Sequence, residues 1–123
     1  MPSLELKTNV SLPNPEAFIA DFTAFAAKTL NKPVPAVCVS YTHVKHLAFN
    51  GTFDPAFLLT ITSLYNLNPT VNEEFSKTFF DFFAEQLGVS DDRGYITFYN
   101  PGPEYLGHKS TTVAVLRGPE KAQ

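Results

Sequence analysis

The residue with the most chemical potential in this chain is its second. The sequence opens Met1-Pro2-Ser3-Leu4-Glu5-Leu6. With Met1 attached, the Pro2 nitrogen is an amide and takes no proton at neutral pH. Trimming of Met1, which the small residue behind it favours, turns that nitrogen into a secondary amine. In an apolar site such an amine serves as a general base. The plain alternative is a stiff start to an edge strand, so the dipeptide needs support from the rest of the chain.

Other reactive side chains offer less. Cys38 is the single cysteine, so no internal disulfide can form. It sits in the run Ala36-Val37-Cys38-Val39, which predicts a buried packing residue and not a nucleophile. His43 and His46 lie close together, yet no carboxylate or second cysteine falls at ligand spacing, so solvated loop residues and no metal site are expected. Asp91-Asp92 reads as a helix-end turn. Lys32 taken alone is a helix C-terminal charge complementing the dipole, and Tyr95 taken alone is a core strand residue. Asn9-Val10-Ser11 and Asn50-Gly51-Thr52 are glycosylation triplets; the start of the chain lacks a signal-like stretch, which makes chance occurrence the expectation.

Composition narrows the field. The 123 residues fit one domain, and 44% hydrophobic with 17% charged residues is globular. A net charge of −3 argues against a general nucleic-acid or anionic-membrane binder. No apolar run approaches the ~20 residues that span a bilayer, so no membrane insertion is expected and a cytoplasmic location is the default. Twelve phenylalanines and no tryptophan can fill a core without needing hydrogen-bond partners.

The elements that would position Pro2 come in two similar runs. Leu4, Leu6 and Thr8 alternate with Glu5, Lys7 and Asn9, so Ser3 to Val10 reads as a half-buried strand. Asn14 caps a helix with Pro15 at its first position, and Phe18, Phe22, Phe25, Ala26 and Leu30 recur at helical spacing. Pro33 prevents continuation, and Ala36 to Thr42 is a strand. Leu58 to Tyr65 is a third strand. Thr70 and Glu73 form a capping box for a helix bearing Phe75, Phe79, Phe82, Phe83 and Leu87, ended by Gly88. Gly94 to Asn100 is a fourth strand. Two strand–helix–strand units of this kind share one four-stranded sheet with both helices on one face. The uncovered face of such a sheet is expected to pack on another copy of the chain. Residues 1–115 form this domain, with Thr111 to Val115 as a short strand and 116–123 as a loose polar tail.

At this level the chain resembles the macrophage migration inhibitory factor family of the tautomerase superfamily. The resemblance is carried by Met1-Pro2, Thr8-Asn9-Val10, Lys32-Pro33, Ala48-Phe49-Asn50-Gly51-Thr52 with Asp54-Pro55, Ser63-Leu64, Asp92-Arg93-Gly94-Tyr95-Ile96, Leu106-Gly107 and Ser110-Thr111-Thr112. It implies an α+β fold of doubled strand–helix–strand type with a mixed four-stranded sheet. It also implies a homotrimer with sites at subunit boundaries and cofactor-free keto–enol tautomerisation of 2-oxo acids such as phenylpyruvate. By position, Pro2 is the base, Lys32 holds the substrate carboxylate, the Leu64 backbone amide binds the same group, and Tyr95 comes from the neighbouring subunit. Leu106 and Val113 join Tyr95 around the ring of the substrate, with Thr97 close by.

The chemistry suits those roles. Tautomerisation needs a base near the acidic carbon and charge stabilisation at the enolate oxygen, and no metal or organic cofactor. An apolar wall and the Lys32 charge both lower the pKa of the Pro2 amine. The chain departs from the family at several positions. Ala36 stands for a tyrosine, Thr97 for an asparagine, Val113 for a phenylalanine and Tyr65 for a glycine, while His108-Lys109 stands for Trp-Asn. These changes predict a wider, less aromatic pocket. Ala56-Phe57-Leu58-Leu59 replaces the Cys-x-x-Cys of some members, which removes thiol oxidoreductase chemistry. The alternative expectation is a cytokine-like signalling or binding protein with a weak or idle pocket, a protein receptor, and release without a signal peptide. Decarboxylation or hydration of a small acid, a third option, finds no arginine pair near these positions.

Overall fold

In the computed structural model, which describes residues 1–118, β1 (Ser3–Thr8) lies at the centre of the sheet. Leu4, Leu6 and Thr8 are fully buried, as the alternation predicts. The strand stops two residues earlier than expected because Thr8 turns its hydroxyl to the Ala56 carbonyl (2.7 Å) and accepts from the Val10 amide. Asn14 accepts from Ala17 N at 3.1 Å and starts α1 (Pro15–Leu30), which ends where Asn31 takes φ 56°. A 3-10 turn over Val34–Ala36 precedes β2 (Cys38–His43). The apolar run at 36–39 is therefore split between a turn and a strand, and Cys38 is exposed, not buried.

The second unit begins as the first does, with the same spacing from strand to helix cap. β3 (Phe57–Thr62) corresponds to β1, and Asn68-Pro69 corresponds to Asn14-Pro15. Helix α2 (Pro69–Leu87) is capped by Asn68, whose side chain accepts from Val71 N at 2.9 Å. The expected Thr70–Glu73 capping box does not form, since an asparagine acceptor followed by proline already satisfies the first turn. Gly88 closes α2 in the left-handed conformation. β4 (Gly94–Tyr99) follows. A Cβ at Gly94 would meet the Phe57 ring at 2.3 Å, so only glycine fits there.

Strand order is β2-β1-β3-β4, with β1‖β2 and β3‖β4 parallel and β1–β3 antiparallel. Each parallel pair spans its own helix, and the two halves meet at the central antiparallel pair. Both helices cover the same face. Phe22 lies at the heart of that layer, with Phe18, Phe79, Phe82 and Phe83 rings 5.4–6.2 Å away. The bare face carries Ser40, Thr42, Thr60, Thr62 and Thr97 beside Leu58, Tyr95 and Tyr99. It is richer in hydroxyls than the apolar surface expected for self-association.

Past β4 the chain forms a small hairpin, β5 (Gly107–His108) and β6 (Thr111–Thr112), turned by Lys109 and Ser110, both at positive φ. A five-residue helix, α3 (Val113–Arg117), stands where a strand over Thr111 to Val115 was expected, and it takes Leu116 and Arg117 out of the tail. The remaining tail residues, 119–123, lie outside the described residues. Among the described residues no helix is long and apolar enough to cross a membrane.

Candidate functional site

Pro2 is held at one end of the central strand. Its carbonyl accepts from Cys38 N at 3.0 Å, extending the β1–β2 ladder by one rung. Beyond it, Ser3 pairs with Cys38 on one side and Thr62 on the other. Pro2 is buried and lines a hollow of about 250 Å³ with Pro35, Ala36, Val37, Cys38, Leu106, Gly107 and His108. Three segments make these walls: the turn before β2, the start of β2, and the stretch entering β5. The last is secured by the buried Val113, whose amide donates to the Leu106 carbonyl at 2.9 Å.

The terminal amine of the chain also borders this hollow. It belongs to Met1, one residue outward from the Pro2 nitrogen that trimming would free. Its pKa is pushed below the ordinary 8.0 by burial first, then by the charges of Lys32 and Arg117. Burial removes the water that would solvate an ammonium group, and each cation repels it, so all three favour the neutral base. Lys32 reaches this neighbourhood because the α1 C-cap turns the chain, with Lys32 N donating to Ala27 O at 2.9 Å.

Leu64 sits on the same end of the sheet, almost wholly buried, just past β3. Ser63 before it is pinned by its amide to Tyr99 O (3.0 Å) and by its hydroxyl to Asn66 Oδ1 (2.6 Å). Tyr65 after it takes φ 70°, a conformation that costs a side-chain-bearing residue roughly 1–2 kcal/mol. That conformation is why β3 ends short of Tyr65. Pro2, Lys32, Leu64, Leu106 and Val113 are thus collected at one end of the sheet.

Tyr95 and Thr97 are not among them. Through the pairings Ser3–Thr62 and Thr62–Tyr99, Pro2 lies level with the far end of β4. Because Pro2 lies one step beyond Ser3, Tyr95 is about 16 Å back along the sheet at 3.3 Å per residue, and two strands across. Its side chain is 65% exposed on the bare face, not in the core where a lone strand tyrosine was expected. Its ring leans on Phe49 at 5.1 Å.

Of the two histidines expected in a loop, His43 closes strand β2. His43 Nε2 pairs with the Asn9 carbonyl at 3.2 Å, and His46 sets its ring edge against Phe53. The Asn9 glycosylation triplet is committed elsewhere. Its amide donates to the carbonyls of Leu47, Phe53 and Asp54 and accepts from Ala56 N.

Sequence reasoning missed Arg117. Its guanidinium lies 4.1 Å from the centre of the Tyr65 ring, and its charge reaches the terminal amine. Arg117 lies far from the other site residues in sequence, and only the α3 fold-back brings it near. The nearest legible sign was Tyr65 at a position where the family carries glycine.

Residues 1–114 match the model of the macrophage migration inhibitory factor family. The chain belongs to that family. A macrophage migration inhibitory factor homolog of Trichinella spiralis is 31% identical over 113 residues, which is 91% of this chain and 99% of the relative. The macrophage migration inhibitory factor of Rattus norvegicus is 29% identical over 115 residues, covering 93% of this chain and all of the relative. The solved Trichinella spiralis factor superposes with a TM-score of 0.83 at 30% identity, covering 89% of this chain and 98% of that one. The factor from Oncomelania hupensis gives 0.83 at 26% identity, over 94% of this chain and 86% of that one. The fold is that of the tautomerase superfamily: a mixed four-stranded sheet with both helices on one face. The matched span ends before Arg117, so the family pattern says nothing of that residue.

Proposed function

We propose that the trimmed protein is a cofactor-free keto–enol tautomerase of 2-oxo acids, with Pro2 as its general base. The observation that carries this reading is buried Pro2 in the wall of a part-apolar hollow, where burial first and then Lys32 and Arg117 lower the pKa of the adjoining Met1 amine. A neutral secondary amine there removes the proton next to the carbonyl and returns it to the oxygen, or the reverse. Lys32 holds the carboxylate, and the Leu64 backbone amide adds a donor to the same group. Leu106 and Val113 shape the inner wall.

Tyr95 and Thr97 lie too far from Pro2 to serve it within one chain. A site that includes them is shared between copies, which favours a homotrimer with sites at subunit boundaries. Exposed Leu58, Tyr95 and Tyr99 supply apolar surface for that contact.

Ketonisation of enol-phenylpyruvate, followed by ultraviolet absorbance, tests the reading. Mass spectrometry first separates trimmed protein from protein that retains Met1. Trimmed protein is expected to be active and Met1-bearing protein inactive. An inactive trimmed protein, or equal activity after Pro2→Ala, overturns it.

A second reading is favoured by Ala36 in the hollow wall. Where relatives place an aromatic ring, this chain has a methyl group, so an aryl substrate gains little stacking. On that reading the protein acts as its relatives' names describe, as a migration-inhibiting factor that binds a protein receptor, residing in the cytoplasm and released without a signal peptide. Tight binding of a substrate analogue in the hollow counts against it.

A further inference from the structure

The geometry points to His108 as a second catalytic residue of the hollow, the acid that serves the carbonyl oxygen while Pro2 serves the neighbouring carbon. This rests on the tautomerase reading and fills a role which that reading leaves unassigned. Moving a proton between carbon and oxygen needs help at both atoms. Pro2 is the base at carbon. Lys32 and the Leu64 amide are given to the carboxylate, and Tyr95 and Thr97 lie two strands away within one chain.

The walls of the hollow narrow the choice. Beyond the terminal amine, Ser3, Cys38 and His108 are the lining residues with an exchangeable side-chain proton, among the described residues. A serine hydroxyl keeps its proton near neutral pH, and a thiol is a weak hydrogen-bond donor. An imidazole both gives and takes a proton in that range. At about 250 Å³ the hollow is small for a ligand site, so a short 2-oxo acid held against Pro2 also meets the wall that carries His108.

His108 is placed by its hairpin. It pairs with Thr111 next to a two-residue turn that puts Lys109 at φ 54° and Ser110 at φ 65°. Two successive positive φ angles fix the register of such a hairpin. The root is held by Val113 N on Leu106 O at 2.9 Å, with Val113 buried. The other histidines are occupied, His43 with the Asn9 carbonyl and His46 against Phe53. The His108 ring has no bonded partner among the described residues, which leaves its nitrogens to substrate and solvent.

In the keto-to-enol direction the Pro2 amine takes the proton from C3. The C–H electron pair becomes the C2–C3 double bond, and the carbonyl π pair moves onto oxygen. Protonated His108 gives that oxygen its proton. The enol leaves with Pro2 protonated and His108 neutral. Exchange with water then takes one proton from Pro2 and returns one to His108, so no proton is gained or lost overall.

Ketonisation of enol-phenylpyruvate by trimmed protein tests the assignment. His108→Ala should lower kcat by at least about 10², with KM changed less than about threefold. The melting temperature should stay unchanged, because His108 is exposed. His108→Gln keeps an N–H donor but transfers no proton, and should be as slow. Imidazole added to His108→Ala should restore at least about tenfold of the rate. That gain should saturate and exceed the buffer-catalysed rate measured with Pro2→Ala. Full activity in His108→Ala or His108→Gln, or no response to imidazole, overturns the assignment and leaves Pro2 as the base. Activity lost in Tyr95→Phe but kept in His108→Ala also overturns it, giving the oxygen to Tyr95 of a neighbouring copy. An inactive trimmed wild type removes the tautomerase reading itself, and the role of His108 with it.

Discussion

The two ends of the central strand are built on opposite principles. At the Thr8 end almost every polar group is answered. Asn9 alone ties together Leu47, Phe53, Asp54 and Ala56, and Arg93 adds bonds of 2.9 Å to the carbonyls of Pro55 and Asp54. At the Pro2 end there is a hollow, a strained tyrosine and two cations facing an amine they repel. One end holds the crossover between the two halves in place. The other holds backbone strain at Tyr65 and a terminal amine whose charged form is disfavoured. Of the motifs that mark the family, Thr8-Asn9-Val10, Asp54-Pro55 and Arg93-Gly94 sit at the answered end, while Met1-Pro2, Lys32-Pro33, Ser63-Leu64 and Leu106-Gly107 sit at the other, so likeness to relatives is carried by both ends.

If this division is correct, substitutions at the two ends should separate rate from stability. The largest effect is on rate. Pro2→Ala in trimmed protein should cut kcat/KM by about 10²–10⁴, the usual span for a general base, while the melting temperature stays unchanged. A large fall in melting temperature would blur the contrast. Asn9→Ala should do the reverse. It strands three carbonyls and an amide, which costs about 2–4 kcal/mol by urea unfolding, and activity per folded molecule should persist at the far end. Gly94→Ala drives a methyl into the Phe57 ring and should cost about 1–3 kcal/mol through overpacking, again without effect on kcat.

Smaller effects refine the Pro2 end. The burial and cations that lower the Met1 amine pKa should lower that of the Pro2 amine once Met1 is removed, so activity should rise with pH through a depressed value. Lys32→Gln removes one repelling charge, raises that pKa and should move the ascending limb of the kcat/KM profile to higher pH, with KM increased. An unmoved limb would show that burial alone sets the base. Tyr65→Gly should be the mildest change in stability, since relief of about 1 kcal/mol of backbone strain offsets the lost stack.

Much of the fold was legible in the residues. Period-two alternation marked β1, phenylalanines at helical spacing marked both helices, and two strand–helix–strand runs implied a shared sheet with one face covered. Errors fell where local signals compete. Thr70–Glu73 looked like a capping box, yet Asn68-Pro69, a repeat of Asn14-Pro15, started the helix first. Cys38 looked buried because its neighbours are apolar, but the run straddles a turn and Cys38 is exposed at the start of β2. Around the site, Pro2 and Lys32 stood out by type and family register. Arg117 did not, because no sequence rule links a C-terminal arginine to a proline at the opposite end of the chain.

By itself, the sequence determined the order of elements, the buried faces, the family, and a proline whose nitrogen becomes an amine once Met1 is removed. Those follow from local periodicity, capping and residue type, which act over a few neighbours. Only the tertiary structure decided which end of the sheet holds a hollow, that Tyr95 stands apart from Pro2 within one chain, and that α3 returns Arg117 to Tyr65. Those depend on strand register and chain reversal, where residues far apart in sequence meet because the sheet pairing leaves them no other place.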